Sequence, residues 1–519
     1  MLRGILTVGG WTMVSRILGL AREMLIAAIL GTGPVADAFF VALKLPNLFR
    51  RLFGEGAFNA AFIPAFSGLL ATEGPDAARR FADEALGVLA FWLAGLTIAG
   101  EIFMPQLMFL LAPGFSADPA KFALTVTLSR ITFPYLLLIC LAALFAGVLN
   151  GLDRFAAATA SYVLFNVVSI ACMLWLTPYM PTPGHALAWG ITASGVVQLG
   201  LLAWAAARAG MRLRLPRPRL TPQMRALMRR MAPGLIGGGV TQINFAVDVI
   251  IMSLLPAGSV ALLNYADRVN QLPLGVIGAA VGTALLPLLS RQVRSGEMDA
   301  ASATMNRAME YAFFLTLPAA LALLVVPEPV MAVLFGRGAM DMRSVHLASQ
   351  SLAAYAVGLP AFVLVKVLSP GFFARGDTAT PVKVSLGVIV LNFSLNLAFM
   401  VPLRHMGPAL ASSVAATVNV GILGAILARR GQFAVDARAR KKLPRMGLAA
   451  AIMATALWGA ARLVYAPMAA HGWRSIGLAA LVAIGLAAYL GAGQALEAFD
   501  LREFAATALR RRRETAPAA

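Results

Sequence analysis

The sequence predicts an all-α polytopic membrane protein with about fourteen transmembrane helices. Three observations lead there. The chain of 519 residues is 60% hydrophobic and only 13% charged, whereas soluble domains are about half apolar and a quarter charged. Its mean hydropathy is +0.79. Apolar stretches of about 20 residues, the length that crosses a bilayer, recur along the whole chain.

The predicted spans lie near 5–30, 35–70, 81–111, 122–149, 156–177, 185–207, 232–255, 259–290, 307–326, 346–374, 380–401, 406–428, 446–466 and 474–497. The first is too long for a signal-peptide core and reads as a retained span. The second and eighth are long enough to bend, with Pro46 and Pro64 in one and Pro273 and Pro287 in the other as the cause. Connections after even-numbered spans are basic, as at Arg79-Arg80, Arg154, Arg291 with Arg294, and Arg375. Residues 208–230 hold eight arginines and no acid, and residues 429–445 hold seven cations against Asp436 alone. Arg510 to Arg513 form a third cluster. These clusters flank apolar spans, so the net charge of +20 reads as the positive-inside pattern with attraction to anionic lipid, and not as a nucleic-acid surface. Both termini are then cytoplasmic.

A weak internal repeat runs through the chain. Pro46 and Pro273, Phe62 to Ser67 and Leu285 to Ser290, Phe133-Pro134 and Leu359-Pro360, and Asn166 and Asn392 are related by a shift near 225. It predicts two pseudo-symmetric six-helix lobes, 1–220 and 225–432, around a central cavity. Two additional helices at 444–498 and a basic cytoplasmic tail at 499–519 follow. Six is even, so the lobes enter the membrane in the same sense and can rock about an axis along its normal.

The most informative residues are charges inside apolar spans, where each costs about 2.5–3.5 kcal/mol by insertion scales. The first span holds Arg16, Arg22 and Glu23, and the second holds Asp37, Lys44, Arg50, Arg51 and Glu55. Asp37, Lys44 and Arg51 are spaced by seven and fall on one helix face. Asp267 and Arg268 lie in the eighth span and Lys366 in the tenth. Arg50, Arg51 and Lys44 can also snorkel to the interface, or Lys44 can pair with Asp37. Cations outnumber acids, which points to an anion in a wet cavity. Arginine suits a diphosphate because its fork binds phosphate oxygens bidentately and stays charged.

Other chemistries find little support. The two cysteines, Cys140 and Cys172, read as buried small hydrophobes, and no metal-ligand cluster is present. No phosphate-binding Gly-x-x-x-x-Gly-Lys motif or hydrolase motif occurs. No cofactor is expected, and energy comes from an ion gradient or the membrane potential rather than ATP. Asp248, with Asp377, is a candidate ion-coupling site.

Several motifs carry a family resemblance. Ser15-Arg16-Ile-Leu-Gly-Leu-Ala-Arg22, Ala36-Asp37-Ala-Phe-Phe, Lys44-Leu-Pro-Asn-Leu-Phe-Arg50-Arg51 and Gly54-Glu-Gly-Ala-Phe58 resemble the opening of the MurJ (MviN) lipid II flippases. Tyr265-Ala-Asp-Arg268 and Val365 to Arg375 resemble later signatures of that family. The similarity covers almost the whole chain and weakens after about residue 430. It places the chain in the multidrug/oligosaccharidyl-lipid/polysaccharide exporter superfamily. It implies a cationic central cavity and a groove for a polyprenyl tail on the last two helices. The family's functional arginines map onto Arg16, Arg22, Arg50 and Arg268, with Asp37 as a further position. Glu23 stands where members carry Asp, and keeps the charge. Gln271 stands where some carry Glu, which takes away a candidate acidic partner of Arg268.

The resulting expectation is a flippase, not an enzyme. It moves lipid II, a polyprenyl-diphosphate-linked disaccharide-peptide, from the inner to the outer leaflet of a bacterial cytoplasmic membrane by alternating access. Arg16, Arg22, Arg50 and Arg268 bind the headgroup with Ser15, Lys44, Arg51, Asp267 and Lys366, while Asp37 and Glu23 orient arginines. Membrane lipids and cell-wall synthesis machinery are the expected partners. A flippase for another polyprenyl-diphosphate glycan, or a polytopic lipid-glycan transferase, is the alternative.

Overall fold

The computed structural model describes residues 2–51 and 58–499, leaving out the side chains of 2–8, 233–241, 243–244 and 276–284. Residues 54–57 of the Gly54–Phe58 motif, with Glu55, and the tail from 500 on, with Arg510 to Arg513, lie outside the described residues. All regular structure among the described residues is helical. Residues 1–261 with 337–341 form one compact unit, and 262–336 with 342–519 form a second.

The first unit contains α1 (Leu2–Leu30), α2 (Pro34–Phe49), α3 (Phe58–Thr72), α4 (Pro75–Ile102) and α5 (Met104–Leu111). It continues with α6 (Pro119–Thr132), α7 (Tyr135–Gly151), α8 (Phe155–Leu176), α9 (Pro183–Arg208), α10 (Pro222–Ser253) and the first turn of α11 (Ser259–Arg294). Helix α1 packs on α8, α8 and α7 on α9, and α2 on α6. The predicted seventh span, α10, packs against α2, α3, α4 and α5. Its N-terminal approach is pinned to α4, where Arg214 N donates to Asp83 Oδ1 at 2.7 Å and Thr221 Oγ1 to Glu84 Oε2 at 2.7 Å. Apolar filling comes from stacked rings, with Phe62 centred 5.0 Å from Phe58, 5.7 Å from Phe66 and 5.6 Å from Phe81.

The second unit holds the rest of α11, then α12 (Met298–Val325), α13 (Pro327–Phe335), α14 (Met342–Phe373), α15 (Ala379–Leu403) and α16 (Gly407–Arg429). After these come α17 (Ala437–Ala460), α18 (Ala466–Ala470) and α19 (Arg474–Ala495). Helix α14 packs on both α12 and α16. The two C-terminal helices join through a separate core in which Met453, Leu457, Leu481 and Tyr489 meet Val326 and Phe314.

Helix is found in every predicted span, with three differences in continuity. The third breaks at Phe103 into α4 and α5, and the fourth breaks at Phe133-Pro134 into α6 and α7. Proline lacks the N–H that would continue the ladder, and Thr132 Oγ1 turns instead to the carbonyl of Ala42 at 3.2 Å. The eighth span stays one helix through Pro273 and Pro287, as α14 does through Pro360. Between the predicted ninth and tenth spans lies a further short helix, α13, over Pro327–Phe335.

Among the described residues, nine stretches are long and apolar enough to cross a membrane by length and composition. They are Pro75–Ile102, Pro119–Gly151, Phe155–Tyr179, Pro183–Arg208, Met298–Val325, Met342–Phe373, Ala379–Arg429, Ala437–Ala470 and Arg474–Ala495. Their outer faces are apolar. Ile98 is 61% exposed, Trp175 79% and Val401 79%, a pattern that suits hydrocarbon and not water.

Candidate functional site

The charges of the first unit fall into three settings, decided by how each helix turns its side chains. On α1, Arg22 faces α8. Its Nη2 donates to Glu23 Oε1 at 3.0 Å, and its guanidinium carbon sits 4.9 Å from the centre of the Phe165 ring. Glu23 is buried. Arg22 Nε and Nη1 are buried and have no hydrogen-bond partner among the described residues. The guanidinium is thus fixed by one carboxylate and one ring face, with donors left over. About two turns earlier, Ser15 locks α1 to α8, because Asn166 Nδ2 donates to its carbonyl at 3.2 Å. Arg16 is exposed and makes no hydrogen bond or ion pair with a described residue.

Asp37 is in a different place from the one its spacing suggests. It lies in the first turn of α2 and is fully buried. Lys121 Nζ, at the start of α6, donates to Asp37 Oδ2 at 2.7 Å, and Gly258 N donates to the same oxygen at 2.7 Å. Ala261 N donates to Oδ1 at 3.0 Å. Lys121 Nζ also lies 3.8 Å from the Phe115 ring centre. Asp37 therefore does not orient an arginine or pair with Lys44. It ties α2 to α6 and caps the positive end of α11. Lys121 was not singled out in the sequence, because it falls just before the predicted span 122–149.

The remaining face of α2 does converge. Lys44 Nζ lies 4.8 Å and the Arg51 guanidinium 5.6 Å from the centre of the Phe245 ring on α10. Arg50 lines a cavity of about 300 Å³ between α3, α7 and α8, with Asn59, Asn150 and Thr159 as its polar neighbours. Phe165, Phe245, Asn59 and Asn150 were not singled out in the sequence, where an aromatic or amide in an apolar run carries no signal.

In the second unit, Asp267 and Arg268 are half-buried on α11, and Gln271 donates to Asp267. Lys366 is exposed on α14. Asp248 is half-buried on α10 of the first unit. Asp377 caps α15, accepting from Thr380 N at 2.9 Å and Thr380 Oγ1 at 2.6 Å, and receives Arg430 Nη1 at 2.7 Å. Hydrogen bonds from the Arg430 guanidinium and Thr380 hold its carboxyl well below the usual carboxylate range. Its carboxylate thus joins the start of α15 to Arg430.

The fold is that of polytopic helical transporters. It is similar to a solved lipid II flippase MurJ in an inward closed conformation, with a TM-score of 0.77, 24% identity, and coverage of 94% of this chain and 97% of that one. It is also similar to an inward-facing MATE-family multidrug transporter of the MOP superfamily, with a TM-score of 0.67, 14% identity, and coverage of 82% and 98%. The family model described as Lipid II flippase MurJ matches residues 26–472, and the chain belongs to that family. A Rhizobium meliloti (strain 1021) protein named Probable lipid II flippase MurJ is 46% identical over 491 residues, 93% of this chain and 91% of its own length. The Burkholderia cenocepacia Lipid II flippase MurJ is 36% identical over 433 residues, 83% and 84% of the two chains. The resemblance read from the opening motifs is borne out. The chain is a multi-pass membrane protein of a transporter family, not an enzyme.

Proposed function

We propose that this chain carries lipid II from the inner to the outer leaflet of a bacterial cytoplasmic membrane, with both termini on the cytoplasmic side. The diphosphate and its sugar–peptide headgroup bind to Arg16, Arg22 and Arg50 of the first unit, with Lys44 and Arg51 adding to the polar lining there; Arg268, Asp267 and Lys366 are the headgroup contacts proposed for the second unit. Glu23 keeps Arg22 oriented and limits how tightly it holds the ligand. Asp37 acts at one remove, by fixing the ends of α2, α6 and α11. The polyprenyl tail stays in lipid beside the last two helices. An ion gradient or the membrane potential supplies the energy, and Asp248 is the candidate coupling carboxylate.

The observation that best supports this reading is the setting of Arg22. A guanidinium clamped by Glu23 and Phe165, with two buried N–H groups lacking partners among the described residues, carries an unmet demand for acceptor oxygens. Phosphate oxygens meet it bidentately. Depleting the protein in cells and probing outward-facing lipid II tests the substrate. The expected result is a loss of exposed lipid II, and unchanged exposure would contradict the assignment.

A further inference from the structure

The cavity beside Arg50 holds a polar atom out of balance. Among its lining residues are Asn59 of α3, Ala142, Ala146 and Asn150 of α7, and Ala158 and Tyr162 of α8. The three α7 positions are four apart and share one helix face. Asn59 Oδ1 is buried and accepts no hydrogen bond from a described residue. A Cβ placed on Gly147 would lie 3.5 Å from that oxygen, so the oxygen faces α7 about one turn before Asn150. The Asn150 side chain also makes no hydrogen bond with a described residue. Two amide groups therefore approach one hollow with their hydrogen bonding unmet, and a buried acceptor is expensive to leave that way.

Much of the remaining wall is methyl, from Ala142, Ala146 and Ala158. Tyr162 on the same wall is 47% exposed, so the hollow can be entered. A ligand that completes it brings a donor for Asn59 Oδ1, an acceptor for the Asn150 amide N–H and a small apolar end for the alanines. A carboxylate meets Asn59 Oδ1 with repulsion. An ammonium meets the Arg50 guanidinium, which lines the same hollow. A hydroxyl donates, but has no methyl to set against the alanines. A secondary amide supplies all three parts.

We propose that this hollow is a subsite for a secondary amide of the transported headgroup. The amide N–H donates to Asn59 Oδ1, its carbonyl accepts from the Asn150 side chain, and its methyl lies against Ala142, Ala146 and Ala158. Asn59 is then a specificity-determining residue. The inference rests on the substrate reading above, in which the headgroup is a disaccharide-peptide. Acetamido groups of its sugars and amides of its peptide carry the same chemistry. A volume of about 300 Å³ is at the lower end for ligand pockets, so the hollow takes one part of the headgroup and not the whole. Asn150 and Phe155 flank the connection that carries Arg154, which its charge assigns to the cytoplasmic side. That is the side from which the headgroup enters.

The test is equilibrium binding to the purified full-length chain in nanodiscs, comparing lipid II with two analogues. One carries an ester oxygen in place of each sugar acetamido N–H, which keeps shape and charge. The other lacks the stem peptide. The wild type is expected to bind one analogue about tenfold more weakly than lipid II, the effect of one unmet buried hydrogen bond, and the analogue affected names the source of the amide. Asn59→Leu, similar in shape but without the acceptor, is expected to bind lipid II about tenfold more weakly and to reduce that preference by the same factor. Ala158→Leu, which fills the hollow from α8, is expected to act alike, with melting of both variants at the wild-type temperature as the check on folding. Undiminished binding of both analogues by the wild type would overturn the inference. So would an Asn59→Leu chain that keeps the wild-type preference. Failure of the wild type to bind lipid II at all would overturn the substrate reading, and this subsite with it.

Discussion

Lys121→Met isolates the buried carboxylate of Asp37. The substitution keeps most of the side-chain volume and removes the cation 2.7 Å from Asp37 Oδ2. Removing one partner of a buried pair costs about 3–5 kcal/mol. Asp37 is then left ionised, on its bonds from Gly258 N and Ala261 N, or takes up a proton. For a carboxyl of ordinary affinity at neutral pH the second route costs about 4 kcal/mol, roughly three pH units at 1.36 kcal/mol each. Both routes give a loss of about 4 kcal/mol. In a unit of this size that lowers the melting temperature by about 10 °C. Tryptophan-monitored melting of the detergent-purified chain reads it. Adding Asp37→Asn to Lys121→Met removes the stranded charge, so the double variant should recover most of the loss, with a coupling of about 2–3 kcal/mol. If Lys121→Met melts within about 2 °C of the wild type, the ion pair does not hold these helix ends together.

Other predictions follow from single settings. Arg22→Lys keeps the charge but loses the planar fork over Phe165, and it should depress transport by at least about tenfold at unchanged protein level; normal transport would remove Arg22 from the binding set. Gly31 and Gly338 have φ of +59° and +60°, and a Cβ on them would come within 2.4 Å of the Ala339 oxygen and 2.2 Å of the Ala28 oxygen. These clashes lie beside the bond from Ala339 N to Ala28 O, 2.7 Å long, so Gly338→Ala should destabilise by more than the roughly 1 kcal/mol of a left-handed residue alone, as read by melting. Asp377 should not set the pH profile of transport between about pH 6 and about pH 8, because its depressed carboxyl contributes stability above the ordinary carboxylate range and loses it only as pH falls through the lowered value. Asp377→Asn should accordingly lower the melting temperature at neutral pH and matter less in strong acid. A transport pH profile that shifts in this variant would contradict the sign.

The sequence carried the helical plan well because a bilayer leaves few choices. Backbone groups in hydrocarbon must be satisfied within the segment, so an apolar run of sufficient length is a helix. It carried continuity less well. Pro134 and Pro287 look alike in sequence, yet the first ends a helix and the second does not, since a break needs somewhere for the freed carbonyls and donors to go. Charges inside spans were visible one by one, but their partners were not. Asp37, Lys44 and Arg51 share a heptad face, and still Asp37 turns to Lys121 while the other two turn to Phe245. A partner some eighty residues away is set by packing, which periodicity does not encode. Arg22 with Glu23 was legible because the two are adjacent, and the Phe165 ring that completes the setting was not.

The most direct test of the account is translocation of labelled lipid II by the purified chain in proteoliposomes, comparing the wild type with Arg22→Ala and Arg268→Ala at matched incorporation. The account predicts transport by the wild type and, in each variant, a loss of at least about tenfold, the cost of one charge-assisted contact to phosphate. Undiminished transport by both variants would contradict it.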